Sequence, residues 1–318
     1  MAAEQFQALR EYLDSQVLGQ PGFTESLLIA LLAAGPLLVE GPPGLAKTRA
    51  VNALAKGVEG EFHRVQFTPD LLPADLTGTD IYRPETGEFV FQPGPLFHHI
   101  ILADEINRAP AKVQSALLEA MAERQITVGQ KTYPLPELFM VLATQNPLEQ
   151  EGTYPLPEAQ LDRFLMHLNL DYPNAEVERD ILRLTRGEEL AGQAKMPQPL
   201  RQADIFQARR EVLSIYMDEA VENYLVQLVV ATRQPEFYSA DVARWLSYGA
   251  SPRATIALDR CARARAWLQQ RDFVTPDDIH AVYANVLRHR VILSYQAEAD
   301  GINTDQVLAQ LLQLVPSP

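Results

Sequence analysis

The stretch Leu37-Leu38-Val39-Glu40-Gly41-Pro42-Pro43-Gly44-Leu45-Ala46-Lys47-Thr48 decides the fold of this chain. An apolar run ends in a turn rich in glycine and proline, and the turn ends in Lys-Thr before a helix-like segment. This layout is typical of a loop whose backbone N–H groups surround phosphate oxygens at a helix start. It predicts that residues 41–48 bind a nucleotide, with Lys47 on the β- and γ-phosphates and the Thr48 hydroxyl on Mg²⁺. The alternative is an ordinary turn with an exposed lysine.

One position of this loop departs from the usual pattern G-x-x-x-x-G-K-[ST], which has glycine where this chain has Ala46. Alanine is the next-smallest residue, and it is excluded only if the position needs a positive φ angle. The loop is therefore interpreted as a variant phosphate-binding loop.

Two further apolar strands end in polar residues. Asp104 and Glu105 follow the run that begins at Ile100, and Asn146 follows the run that begins at Leu138. A P-loop ATPase needs an acid that holds Mg²⁺ through water and a base that orients the attacking water. We expect Asp104 to fill the first role and Glu105 the second. Because ligands lie beyond the carboxyl ends of parallel strands, we expect all three strand ends to share one site.

These motifs resemble those of the MoxR family of AAA+ ATPases. The resemblance is carried by GPPGLAKT at 41–48, DEINRAP at 104–110, ATQNP at 143–147, PEAQLDRF at 157–164 and SPR at 251–253. It implies an α/β fold of AAA+ type: a P-loop αβα sandwich with a five-stranded parallel sheet over residues 1–171, and an all-α lid domain over residues 172–318. Alanine at position 46 is common in this family.

The resemblance also implies roles for single residues. Asn146 matches sensor 1, Arg163 matches the arginine finger that acts on the neighbouring subunit's nucleotide, and Arg253 matches sensor 2 on the lid. Arginine suits these roles because its planar, permanently charged fork fits phosphate oxygens. Arg108 is a further candidate for action in trans. The alternatives are a surface ion pair for Arg163 and an ordinary helix start at 251–253.

A short segment near the amino terminus completes the expected nucleotide site. It consists of Val17, Leu18 and Gly19, followed by Gln20, and it resembles the segment that packs against adenine in this family.

The family also implies a function. We expect ATP and Mg²⁺ as ligands, a homo-oligomeric ring of about six subunits, and chaperone-like remodelling of a protein client, such as metal-cofactor insertion or enzyme-complex assembly. A partner that carries a von Willebrand factor A domain is also implied. Two alternatives are a ring ATPase that remodels nucleic acid and a nucleotide-gated assembly module with negligible turnover.

Composition limits these alternatives. The chain has 318 residues, with 27 Lys and Arg against 41 Asp and Glu, which gives a net charge of -14. This acidity argues against a general nucleic-acid binder, because phosphate backbones attract basic surfaces. The single cysteine, Cys261, favours a reducing compartment. The absence of a signal-peptide pattern and of a long apolar span predicts a cytoplasmic protein without membrane insertion.

Two β-hairpins are predicted as inserts, near 85–91 and 126–133. By analogy with related rings they would contact the client, with Phe89 and Phe91 beside an exposed tip. The alternative is that they are surface hairpins without a special role. Beyond them, 186–199 is interpreted as a flexible linker or loop, and the chain from 203 onward as helical. Arg260, Arg263 and Arg265 are interpreted as a solvated helix face, and the alternative is that they line the nucleotide cleft.

Overall fold

A five-stranded parallel sheet forms the centre of the computed structural model, which describes residues 2–147, 152–192 and 198–318. The spatial order of its strands is β2 (Phe62–Gln66), β5 (Ile100–Asp104), β8 (Met140–Gln145), β1 (Leu37–Glu40) and β9 (Met166–Asn169). The predicted sheet is confirmed. Because all pairings are parallel, the carboxyl ends of the strands share one edge.

The alternation of side chains along each strand divides the interior into two cores. Leu38, Ile101 and Val141 face one core, which also contains Leu117 of the helix Ala111–Glu123. Leu37, Leu102 and Leu142 face the other. The second core is the larger, because it continues through the amino-terminal helices into the carboxy-terminal helices.

Helices cover both faces of the sheet. Those of the first half are α1 (Ala2–Gln16), α2 (Pro21–Ala33), α3 (Lys47–Lys56), α4 (Pro73–Thr77), α5 (Ala111–Glu123) and α6 (Glu158–Leu161). Those that follow are α7 (Ala175–Ala191), α8 (Gln202–Ser214), α9 (Glu219–Ala231), α10 (Ala240–Trp245), α11 (Pro252–Leu268), α12 (Pro276–Leu287), α13 (Tyr295–Ala299) and α14 (Thr304–Leu314). A short antiparallel ladder, β10 (Leu246–Tyr248) with β11 (Ile292–Leu293), interrupts this helical region.

Both predicted hairpins exist, and the first is longer than expected. It pairs β3 (Gly78–Arg83) with β4 (Glu88–Pro93), and the second pairs β6 (Gln125–Val128) with β7 (Lys131–Pro134). Phe89 is 69% exposed. Phe91 instead stacks on Tyr133, with ring centroids 4.0 Å apart. The two hairpins therefore contact each other.

The predicted linker at 186–199 is partly wrong, because α7 continues to Ala191. Arg49 of α3 donates to Glu188 at 2.8 Å, and this contact ties the last turns of α7 to the phosphate-loop helix. Residues 193–197 lie outside the described part of the chain. A tertiary ion pair thus outweighs the loop-like composition around Gly187 and Gly192.

The helix that was expected to present a solvated arginine face is also more internal than predicted. Arg263 pairs with Asp259 at 2.8 Å, and Arg265 pairs at 2.8 Å with Asp278, whose side chain is fully buried. Arg260 is exposed, as expected. Cys261, on the same helix, is buried, and burial raises the pKa of its thiol to about 12. A thiol in this environment is an inert core group.

Three consecutive residues after α12 fasten the carboxy-terminal helices to the sheet. Arg288 donates to the His167 carbonyl at 2.6 Å, His289 lies 3.1 Å from the Phe164 carbonyl, and Arg290 donates to the Leu165 carbonyl at 3.2 Å. Together with the shared core, this clamp makes a free rotation of the lid on its own base unfavourable.

The clamp predicts a pH dependence of stability. Burial, with the positive charge of Arg290, lowers the pKa of His289 well below its ordinary value. Below about pH 6.5 the unfolded chain therefore binds a proton that the native chain does not. The free energy of unfolding then decreases by about 1.4 kcal/mol for each unit by which the pH is lowered. His289→Gln should reduce this slope between pH 6.5 and 5, measured by urea unfolding. An unchanged slope would contradict the assignment.

The structure also bears on membrane insertion. Across residues 2–147, 152–192 and 198–318, no helix has the length and apolar character needed to cross a bilayer.

Candidate nucleotide site

The loop at 41–48 connects β1 to α3, as predicted. Ala46 has φ 56° and ψ 20°, in the left-handed region, and α3 begins at the next residue. The position therefore does need the positive φ angle for which glycine is favoured, and alanine adopts it at a cost of about 1–2 kcal/mol.

The strain at residue 46 can be measured. Ala46→Gly should raise the free energy of unfolding by about 0.5–1 kcal/mol, because relief of the left-handed strain exceeds the added chain entropy. Nucleotide affinity should be retained. Ala55→Gly, inside the same helix, should instead lower stability. Urea unfolding of both variants tests this, and a destabilised Ala46→Gly would refute it.

Lys47 lies at the centre of the three strand ends. Its Nζ donates to the Gly41 carbonyl at 2.6 Å and to the Gln145 carbonyl at 3.4 Å. Burial lowers the pKa of Lys47, and the nearby carboxylates of Asp104 and Glu105 oppose that effect. The ammonium group is thus partly desolvated and held by neutral carbonyls, which suits it to a phosphate.

Asp104 is held by residues on both neighbouring strands. Thr144 donates to its Oδ1 at 2.6 Å, and Arg64 donates to its Oδ2 at 2.6 Å. Only 9% of the residue is exposed, so these partners fix its orientation toward Lys47. Sequence reasoning assigned no role to Arg64, and it quoted Thr144 only as part of the ATQNP motif, because the partner of both residues lies 40 residues away.

Glu105 adopts a left-handed backbone conformation, with φ 57° and ψ 51°. Its Oε2 accepts hydrogen bonds from Gln66 at 2.7 Å and from Arg108 at 3.0 Å. Strained backbone at a polar residue is typical of functional positions. Arg108, a candidate for action in trans, thus contacts the Glu105 of its own subunit.

Asn146 is buried, with 6% exposure, directly after β8. It lines a polar recess with Glu40, Asn107 and Gln145 at the carboxyl edge of the sheet. Glu40 also bonds His167 at 2.9 Å, which lowers the pKa of the Glu40 carboxyl. Sequence reasoning assigned no role to Glu40 or Asn107, although both lie within stretches that it quoted.

A cavity of about 330 Å³ lies on the other side of the loop. Leu18, Leu45 and Tyr172 contribute apolar surface to it, whereas Val17 is buried in the core. Gly19 has φ +76°, and a Cβ there would lie 2.2 Å from a Val177 methyl group of α7. Glycine is therefore required for α7 to approach this cavity, whose size and lining suit a planar base.

Arg163 and Arg253 are brought together, but away from Lys47. Both line a recess with Gly35 and Pro36, which precede β1, whereas the phosphate loop follows β1. The four residues of β1 span about 13 Å. Arg163 donates to the Leu118 carbonyl at 2.9 Å. Neither guanidinium is placed to reach the phosphates of its own subunit.

The residues at the strand ends fit a Mg²⁺-bound triphosphate. Thr48 lies in the first turn of α3, where its hydroxyl can join the carboxylate of Asp104 as an oxygen donor. In the described residues, no group of three or more His, Cys, Asp or Glu side chains could hold a metal by itself. Mg²⁺ commonly takes one or two protein oxygens and completes its shell with phosphates and water.

Similarity to known proteins identifies the family of this chain. The family described as "ATPase family associated with various cellular activities (AAA)" matches residues 36–166, and an AAA lid domain matches residues 239–311. Chaperone MoxR1 of Mycobacterium tuberculosis is 47% identical over 303 residues, which is 95% of this chain and 79% of that protein. Protein MoxR of Methylorubrum extorquens is 35% identical over 324 residues, 95% of this chain and 92% of that protein.

A solved structure gives the same result for the fold. A candidate ATPase from Cytophaga hutchinsonii has a TM-score of 0.92 and 46% identity, and the match covers 100% of this chain and 96% of that chain. The sheet, the phosphate loop and the helical region that follows define the class of AAA+ ATPases. Within that class, the chain belongs to the MoxR family.

Proposed function

We propose that the chain hydrolyses ATP in a homo-oligomeric ring, of six subunits by family expectation, and uses the energy to remodel protein clients. The observation that supports the ring most directly is the placement of Arg163 and Arg253. They lie at the amino end of β1, opposite the phosphate loop. A complete site therefore needs a second subunit that brings these arginines to the nucleotide, as arginine fingers do.

The residues of the phosphate side would act in the following way. Lys47 would contact the β- and γ-phosphates, Thr48 and Asp104 would hold Mg²⁺, and the base would pack beside Leu18. When bound, Mg²⁺ would supply positive charge that offsets the charge of the phosphates. Glu105 accepts a proton from the attacking water, and Asn146 hydrogen-bonds that water or the γ-phosphate. Gln66 and Arg108 both donate to Oε2 of Glu105 in this structure.

We expect nucleotide-driven movement of one subunit relative to its neighbour, and little movement of the lid relative to the sheet domain within a subunit. The lid helices share a hydrophobic core with α1 and α2, and the 288–290 clamp ties them to β9. A nucleotide that draws in the neighbour's arginines would therefore move that neighbour as a whole. The first hairpin carries exposed apolar side chains, among them Tyr82 and Phe89, that suit contact with a client.

The protein that this ring acts on would be a folding or assembling enzyme, and metal insertion is one such task. We extend the proposal to a partner with a von Willebrand factor A domain on family resemblance alone. The Mycobacterium tuberculosis relative is named as a chaperone.

Client trapping tests the function. A tagged Glu105→Gln protein should hold ATP and retain client in pull-downs with ATP, and release it without nucleotide. Lys47→Ala should retain none under either condition, because it lacks the phosphate contact. Equal recovery from both variants, or none from either, would count against client remodelling.

A further inference from the structure

Asp162, which directly precedes Arg163, lies where the sheet domain meets the carboxy-terminal helices. Ser251 donates its hydroxyl to Asp162 Oδ1 and Oδ2 at 3.2 and 3.0 Å. Arg290 Nε donates to Oδ1 at 3.0 Å, and Arg253 Nη1 lies 3.6 Å from Oδ2. One carboxylate therefore accepts hydrogen bonds from the N-cap of α11 and from the clamp after α12. It also forms an ion pair with Arg253, one of the two arginines assigned to the neighbour's nucleotide.

These contacts are built into the interior. The Arg290 side chain is 3% exposed, and it also donates to the Phe164 carbonyl at 2.6 Å. A buried guanidinium needs a paired anion, so Asp162 is held in one orientation. The Arg163 guanidinium, in contrast, donates to the Leu118 carbonyl, which leaves its charge available to a phosphate.

We propose that Asp162 is a positioning residue that fixes Arg163 and Arg253 relative to each other, so that both reach one nucleotide on the neighbouring subunit. This inference rests on the proposed function, since it assumes that both arginines act in trans. Arg163 comes from the loop before β9 and Arg253 from the first turn of α11. Asp162, in the loop before β9, connects that loop to the start of α11 through its hydrogen bonds with Ser251.

The expected effect follows from the sensitivity of catalysis to position. A displacement of about 1 Å can cost about 10²-fold in rate, even from outside the reacting groups. Asp162→Asn keeps the shape but weakens the contacts with Arg253 and Arg290. We expect ATP turnover to fall about 10- to 100-fold, while the nucleotide affinity of the variant's own pocket stays at the wild-type value.

Subunit mixing separates positioning from a general structural defect. Lys47→Ala subunits have a defective pocket but intact arginines. Mixed with Asp162→Asn subunits, they should restore turnover, because an intact pocket then meets intact arginines from its neighbour. A pocket that was damaged by misfolding would not recover. Glu158→Gln, which removes an exposed acid one turn earlier on α6, should have wild-type turnover.

The outcomes are distinguishable. If Arg163→Ala subunits are not rescued by Lys47→Ala subunits, the proposed function fails, and this inference fails with it. If they are rescued but Asp162→Asn is not, or if Asp162→Asn turns over at the wild-type rate, only this inference is overturned.

A second variant covers the case in which Asp162→Asn does not fold, as judged by its thermal transition. Ser251→Gly removes one donor to Asp162 and keeps a residue that N-cap positions accept. It should lower turnover about 2- to 10-fold, since one hydrogen bond to a charged group is lost. Rescue by Lys47→Ala subunits is again expected. Unchanged turnover in Ser251→Gly would then overturn the inference.

Discussion

Glu105→Gln should lower ATP turnover by about 10²–10⁴-fold, the range that a positioned general base contributes. Glutamine keeps the size and hydrogen-bonding reach of glutamate, but it does not accept a proton from the attacking water. Steady-state phosphate release and ATP affinity should be measured on the same preparation. Affinity should change little, because Lys47 and Thr48 remain, and the variant should accumulate bound ATP.

A matched control is Glu123→Gln, which makes the same change at the exposed end of α5. It should have wild-type turnover. Equal turnover in Glu105→Gln and the wild type would exclude Glu105 as the base. Negligible turnover in both proteins would support the alternative of an assembly module. A large loss of ATP affinity would instead indicate that Glu105 acts in binding.

The contacts of Glu105 suggest why its replacement has a sharp effect. Gln66 and Arg108 both donate to the same carboxylate oxygen of Glu105, so the side chain cannot rotate freely. A glutamine at 105 can accept these bonds only through a neutral oxygen, which weakens the bond with Arg108. Because the glutamine side chain is held no more tightly than that of glutamate, a loss of turnover in this variant would reflect the loss of the base.

Local patterns were enough to predict much of the fold. The apolar runs that end at Glu40, Asp104 and Gln145 are buried strands, and period-two alternation places their side chains in two cores. The carboxyl ends of these parallel strands share an edge by geometry alone. For that reason Lys47 and Asp104 could be brought together from the sequence without knowledge of any long-range contact.

Contacts between distant residues could not be predicted in this way. Asp162 and Arg290 are 128 positions apart, and nothing in either local sequence indicates the other. Long-range pairs of this kind determine where Arg163 and Arg253 lie relative to the phosphate loop. Helix α7 shows the same limit, since its glycines predict a loop and the contact of Glu188 with Arg49 holds it helical.

The second large effect concerns the neighbouring subunit. Arg163→Ala should reduce turnover by about 10³–10⁵-fold, as expected for an arginine finger. Binding of ATP to the variant should be nearly unchanged, because its own phosphate loop does not contact Arg163. The variant therefore separates binding from turnover, in contrast to Lys47→Ala, which should lose both.

Mixing distinguishes action in trans from action within one subunit. Arg163→Ala subunits offer intact pockets, and Lys47→Ala subunits offer intact arginines. Each protein alone should be inactive, and a mixture should recover part of the wild-type turnover, because some interfaces pair an intact pocket with an intact arginine. Arg253→Ala should be rescued in the same way, since Arg253 shares the recess of Arg163.

Dilution gives an independent measurement of the same claim. Turnover per wild-type subunit should fall as the protein is diluted below its assembly concentration, and light scattering should show smaller particles over the same range. Constant turnover from isolated subunits would contradict the shared site. It would require Arg163 to cross the length of β1 within its own subunit, about 13 Å for four residues. The clamp at Phe164 and Leu165, which directly follow Arg163, opposes that movement.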